Sequence, residues 1–287
     1  MLHLLRPAHI LLLALTYLLG ASLARYLGAD FAILPFLLGF LWLAFLVTAM
    51  NLLDAAYRNP AQPYLPEQTP RQRDEFRRKL VLLATGLLTL VAALTVPLLV
   101  LRLAHSLALG FLFLAALAAL AYAVPPLRLA NRGLGEFALA ILVASLAPAL
   151  AFSLQHSELH RLLPIYLFPL TFMALACFLA LGFPTFATDQ KYARQTLLIR
   201  LGWQAAIQAH NGFLLAAYLL LAIAPFLGVP LGLIWPALLT MPLAAFQVYQ
   251  FSRLADGAKP LWPLLTSTAI ALLGLTAYLL TLTLWLR

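Results

Sequence analysis

The stretch LGWQAAIQAHNGFLLAAYLLLAIAPFLGVPLGLIWPALLTMPLAAFQVYQFS, residues 201–252, contains no Asp, Glu, Lys or Arg. A helix needs about 20 apolar residues to cross the hydrocarbon core of a bilayer, so this run is about twice as long as one crossing requires. Gly228-Val229-Pro230 stands near its middle, and a glycine followed by a proline ends one helix and starts another. The run therefore reads as two antiparallel membrane helices joined by a tight turn.

Working outward, seven further charge-free runs are long enough to span: residues 7–24, 31–53, 80–101, 103–127, 137–155, 162–183 and 260–286. With the divided run they make nine spans, and the expected fold is an all-α polytopic membrane protein organised as one membrane-embedded domain over residues 1–287. The first run, with Arg6 before it and Ser22-Leu23-Ala24 near its end, has the outline of a signal peptide. Eight spans behind it favour a retained helix.

Composition agrees. Hydrophobic residues make up 64% of the chain and charged residues 9%, with a mean hydropathy of +0.97, whereas soluble domains carry about 25% charge. A net charge of +9 would suggest nucleic acid as a partner for a soluble protein. Here the basic residues sit between apolar runs, so topology explains them and nucleic acid is not expected. The single cysteine, Cys177, lies within a span and cannot form an intrachain disulfide; it reads as structural.

Cytoplasmic loops are enriched in Lys and Arg. Grouping the amino terminus with every second loop leaves only Arg25, Arg102, Arg161 and Arg287 on the opposite face. The amino terminus is thus expected in the cytoplasm, and the membrane is expected to be the cell's inner or plasma membrane. Of the acidic residues, Asp54, Glu67, Asp74, Glu75, Glu136, Asp189 and Asp256 fall on the basic face, with Asp30 and Glu158 opposite. Loops of about 55–79 and 184–200 on that face exceed what a hairpin connection needs.

Three segments concentrate polar chemistry there. In Asn51-Leu-Leu-Asp54-Ala-Ala-Tyr57-Arg58-Asn59-Pro60, residues 51, 54 and 58 share a face if the helix continues. A solvated helix end with an Asp54–Arg58 pair accounts equally well for that spacing. Thr185 to Gly202 contains Asp189, Lys191, Arg194 and Arg200, a pattern that also suits contact with anionic lipid. Tyr122-Ala-Val-Pro125-Pro126-Leu-Arg128-Leu-Ala-Asn131-Arg132-Gly133-Leu-Gly135-Glu136 reads as a rigid turn between two spans. His156 and His160, four apart beside Glu158, are the one histidine pair with a helix-face metal spacing.

Together the three segments resemble the UbiA-type intramembrane prenyltransferases, and in motif the quinone-biosynthesis members that attach a polyprenyl tail to an aromatic acid. Tyr-x-x-Pro-Pro-Leu-Arg-Leu followed by Arg-Gly-Leu-Gly-Glu is similar to the family's signature after the fourth helix. Asp189, Arg194, Thr196-Leu197 and Arg200-Leu201-Gly202 are similar to the end of its second aspartate motif. Asn59-Pro60 and Leu65-Pro66 resemble the loop behind its first. The departures are specific: the first motif retains only Asn51 and Asp54, Thr185 stands where the second motif has an aspartate, and Ala61, Gln62 and Pro63 replace basic residues.

The resemblance implies a UbiA-like helical bundle in which two magnesium ions hold a prenyl diphosphate at a cytoplasm-facing cavity while its polyprenyl group passes to an aromatic or other small acceptor. Carried onto this chain, it makes Asp54 and Asp189 the metal ligands and, with Tyr122, the catalytic residues. Asn51, Arg58, Arg128, Arg132, Lys191 and Arg194 become the diphosphate contacts. Asp54 and Asp189 are expected to face each other across the cavity, which lipid flanks. A non-catalytic isoprenoid-binding protein on the same fold is the main alternative. A transporter accords less well with spans that lack internal charges.

Overall fold

In a computed structural model that describes residues 2–65 and 68–287, the chain is helical throughout and polytopic. A short helix α1 (Leu2–Leu5) leads into α2 (Pro7–Tyr26), followed by α3 (Ile33–Ala56), α4 (Pro70–Val100) and α5 (Ser106–Ala123). The fifth span comprises α6 (Gly135–Ile141), a π-helical turn (Leu142–Leu146) and α7 (Ala147–Ser153). The sixth runs through α8 (Leu162–Gly182), a 3₁₀ turn and α9 (Phe186–Lys191). After α10 (Leu197–Leu201) come α11 (Trp203–Ile223), α12 (Leu231–Leu238) with α13 (Met241–Ala255), and α14 (Trp262–Trp285). Among the described residues, nine helical segments are long and apolar enough to cross a membrane.

The run over 201–252 divides as its composition predicts. Gly228 takes a left-handed φ of 84°, available to glycine without cost, and Pro230 precedes the next helix. The main departure is α4. The sequence reading places 71–79 in a loop because of its charges, yet the helix begins at Pro70. Thr69 caps it: its hydroxyl accepts from the Gln72 backbone N–H, and the Gln72 side chain accepts from the Thr69 N–H. This reciprocal box, with proline in the first turn, starts a helix whatever the charges that follow. The 184–200 loop likewise contains α9 and α10. Pro66 of the Leu65-Pro66 pair and Glu67 lie outside the described residues.

The interior is built on α2, which packs against α7 and α14, while α8 packs against α11 and α14. Gly20 makes the α2–α7 approach possible, since a methyl group there would overlap the Pro148 carbonyl. Small residues at such crossings let helix backbones meet, which is how helices gain contact where lipid offers no hydrophobic drive. Nearby, Thr16 Oγ1 donates to the Val143 carbonyl at 2.6 Å, inside the π-helical turn. Cys177 is buried in α8. His156 Nδ1 and His160 Nδ1 instead contact backbone groups of their own loop, at Glu158 and Leu162.

Candidate functional site

Three loops on the face that carries Arg6 are stitched together. Asn59 Nδ2 donates to the Tyr192 carbonyl at 3.1 Å. Asn131 Oδ1 accepts from Gln195 N at 3.0 Å, and Gly133 N donates to the Gln195 carbonyl at 2.6 Å. The Glu136 carboxylate accepts from Leu197 N, each oxygen at 3.2 Å. Thr196 caps α10 by accepting from Ile199 N. Gly133 is favoured by its φ of 71°, and a β-carbon there would also displace the Arg200 side chain that packs over it.

Beneath these loops Asp54 is 1% exposed. Its Oδ2 accepts from Arg6 at 2.6 Å, and Arg194 donates to both oxygens, at 3.0 and 3.2 Å. Arg6 also donates to the Tyr122 hydroxyl at 3.0 Å. Asn51 is occupied elsewhere, with His9 Nδ1 at 3.0 Å from its Oδ1 and its Nδ2 donating to the Leu5 carbonyl. Burial works against the charge of every arginine here. For Arg6 and Arg194 the attraction of Tyr122 and Asp54 outweighs it, and their pKa values lie above the ordinary arginine value. For Arg58 and Arg128 burial prevails, and theirs lie below it.

A cavity of about 460 Å³ opens over this triad. Arg6, Arg58 and Arg194 supply its positive wall, Asp189 and Glu136 its carboxylates, and Tyr122, Leu139 and Phe178 an apolar and aromatic side. Asp189 Oδ2 accepts from the Thr185 hydroxyl at 2.9 Å, and Oδ1 lies 4.0 Å from Arg194. A second pocket of about 280 Å³ adjoins it, lined by Arg58, Arg128 and Arg194 with Asn59, Asn131 and Tyr192. Arg6, Arg128 and Ala193, which line these two spaces, have φ values of 48°, 41° and 54°. Left-handed backbone at a non-glycine residue costs about 1–2 kcal/mol, and such strain gathers at binding sites.

Of the residues expected from the sequence, Asp189, Tyr122, Arg58 and Arg194 line the main cavity and Arg128 the adjoining pocket. Asp54 and Asp189 do not face each other across it. Asp54 lies under Arg6 and Arg194, because a buried carboxylate must be paired. Asn51 lines neither space. Arg132 turns back to donate to the Pro126 carbonyl, and Lys191 is exposed with its Nζ 5.5 Å from the Tyr192 ring centre; neither lines either of the two spaces.

The residues present do not fit a pair of magnesium ions. Magnesium takes six oxygens, and at Asp54 both carboxylate oxygens already serve two guanidinium groups. At Asp189 one oxygen serves Thr185, and Glu136 is committed to the Leu197 amide. Among the described residues no group of three His, Cys, Asp or Glu side chains is arranged to hold a metal. Sequence reasoning missed Arg6, His9 and Glu136 as members of the site. Glu136 ends the Arg132-Gly-Leu-Gly-Glu136 motif, whereas the only sequence signal for Arg6 is its place on the basic face.

No family model matches the sequence, and no curated protein matches it. Solved structures do. A UbiA homolog from Archaeoglobus fulgidus bound to GPP and Mg2+ superposes with a TM-score of 0.70 at 17% identity, over 98% of each chain. The DMAPP and Mg2+ complex of a UbiA homolog from the same organism gives 0.65 at 19% identity, covering 96% of this chain and 98% of that one. An apo UbiA homolog from Aeropyrum pernix K1 gives 0.55 at 16%, over 97% of each. Over nearly its whole length, this chain has the fold of the UbiA homologs.

Proposed function

We propose that this protein is an intramembrane prenyltransferase that binds an isoprenoid diphosphate at the main cavity and transfers its prenyl group to a small acceptor. The observation that carries the reading is the cavity itself: an arginine wall beside an aromatic and apolar wall, in a fold of which two solved examples are bound to GPP and to DMAPP. The diphosphate meets Arg58 and Arg194, and the chain lies along Leu139 and Phe178. The bond between C1 of the prenyl group and the bridging oxygen breaks, and diphosphate leaves with the electron pair. The acceptor attacks C1, and Asp189, which lines the cavity, takes the proton that the acceptor loses. The Tyr122 and Phe178 rings favour the cationic carbon. The acceptor is small because the cavity must also hold the donor; an aromatic acid, as in quinone biosynthesis, is the acceptor class that the motifs support.

One arrangement favours a second reading, a non-catalytic isoprenoid-binding protein: Arg6 and Arg194 occupy Asp54, and Thr185 occupies one Asp189 oxygen. Purified protein in lipid nanodiscs, supplied with labelled prenyl diphosphates and a panel of aromatic and alcohol acceptors, separates the two. The enzyme reading expects prenylated product and released diphosphate in the parent and neither in Asp189→Asn. Binding without release for every donor and acceptor would give the second reading the place of the first.

A further inference from the structure

The pocket beside the main cavity shares Arg58, Gln62 and Arg194 with it. Arg58, Arg128 and Arg194 wall the pocket, and among the described residues no carboxylate lines it. Among the described residues, Arg58 Nε and Arg128 Nε are buried without a hydrogen-bond partner. Neither the Arg58 nor the Arg128 side chain makes a hydrogen bond among the described residues, so both guanidinium groups at this pocket are available to acceptor oxygens from outside the chain. The Arg128 backbone and that of the neighbouring Ala193 are held left-handed, and the inter-loop hydrogen bonds at Asn59 and Asn131 fix the walls. Such a pocket is assembled in advance rather than formed around its ligand. Planar guanidinium groups bind phosphate oxygens in pairs.

We infer that this pocket holds the diphosphate of an isoprenoid diphosphate through guanidinium groups alone, so that donor binding in this protein needs no divalent cation. The inference rests on the isoprenoid reading above. It follows from the conflict at Asp54, where Arg6 and Arg194 supply the positive charge that a metal would bring. With Arg58 and Arg128 added, the counter-charge for the diphosphate is covalently part of the chain. The prenyl tail then passes the shared wall at Arg58 and Gln62 into the apolar part of the main cavity.

Calorimetric titration of the full-length protein in phosphatidylcholine nanodiscs tests this, with three probes: inorganic pyrophosphate, a non-hydrolysable prenyl thiolodiphosphate and short-chain phosphatidic acid, each in EDTA and in Mg2+. The expected result is that pyrophosphate and the prenyl analogue bind in EDTA with an affinity that Mg2+ leaves unchanged. Arg58→Gln and Arg128→Gln should each weaken both by about tenfold or more, the size of a charge-assisted hydrogen bond. Neither side chain makes a hydrogen bond among the described residues, so melting temperatures equal to the parent's confirm that the variants are folded. Binding that appears only with Mg2+, or that neither substitution weakens, overturns the inference while leaving the isoprenoid reading intact. Pyrophosphate binding without the prenyl analogue keeps the metal-free anion pocket and sinks the isoprenoid reading. Preference for phosphatidic acid makes the pocket a lipid-headgroup site and overturns the inference, as does the absence of binding by all three.

Discussion

Replacing Arg194 by glutamine separates a structural role of Asp54 from a metal-binding one. Asp54 is 1% exposed and has two counter-ions, Arg6 at 2.6 Å and Arg194 at 3.0 Å. Breaking a buried ion pair from one side costs about 3–5 kcal/mol, because the remaining charge is left in a medium that cannot solvate it. Arg6 stays in Arg194→Gln and holds part of the charge, so the lower end, about 3 kcal/mol, is expected. At about 2–4 °C per kcal/mol for a chain somewhat smaller than this one, the melting temperature should fall by roughly 6–12 °C. Asp54→Asn, which leaves two arginines around a neutral amide, should fall comparably. The double variant should lose less than the two losses added together, with a coupling of about 0.5–3 kcal/mol as for residues in one network. The measurement is tryptophan-fluorescence melting of detergent-solubilised protein, in EDTA throughout. A metal ligand contributes nothing to stability under those conditions. If Asp54→Asn melts with the parent in EDTA, the ion-pair account of Asp54 is refuted and the metal assignment returns.

Thr185→Asp places a second carboxylate one helical turn from Asp189, at a position whose hydroxyl already reaches Asp189 Oδ2. Its melting temperature should rise on adding Mg2+, whereas the parent's should not; an unresponsive variant would show that the two side chains cannot share an ion. Gly20→Leu should destabilise the protein by at least the roughly 1–3 kcal/mol typical of overpacking, read as loss of folded yield and a lower melting temperature, since the overlap is with backbone at Pro148. Cysteines introduced at Gln68 and Gln72 should react with an impermeant maleimide only from the cytoplasmic side, against little background because Cys177 is buried. Labelling of intact cells from outside would invert the orientation.

The spans were legible because one physical constraint, the thickness of a bilayer, writes itself into consecutive residues. The turn at Gly228-Val229-Pro230 was legible for the same local reason. The start of α4 is written too, in Thr69-Pro70-Arg71-Gln72, but the charges behind it read as loop, whereas a helix can continue well beyond the membrane. Asn59, Asn131, Gly133 and Glu136 belong to the motifs as stitches between loops, and Thr196 as the cap of α10, which explains why the motifs have that form. Arg6 was not legible as a site residue. Its partner lies 48 residues away, and the second arginine on that partner lies 140 residues beyond, so no spacing links the three.

That illegible triad is what redirects the chemistry of the site. A sequence with one aspartate where a metal-binding motif has several reads as a weakened cation site. With two guanidinium groups on that aspartate, the cluster carries a net positive charge, and in a partly buried cavity unit charges a few ångströms apart interact by several kcal/mol at an effective dielectric constant of about 20. A divalent cation approaching Asp54 is repelled by that net charge, while a diphosphate approaching Arg58 and Arg194 is drawn by it. Thr185 where the resembling motif has an aspartate, and two arginines on Asp54, are together the basis for inferring a change from binding the anion through metal to binding it directly. The same change predicts that restoring Asp189's missing neighbour at position 185 brings back metal binding only on the α9 side of the cavity, leaving Asp54 with its arginines.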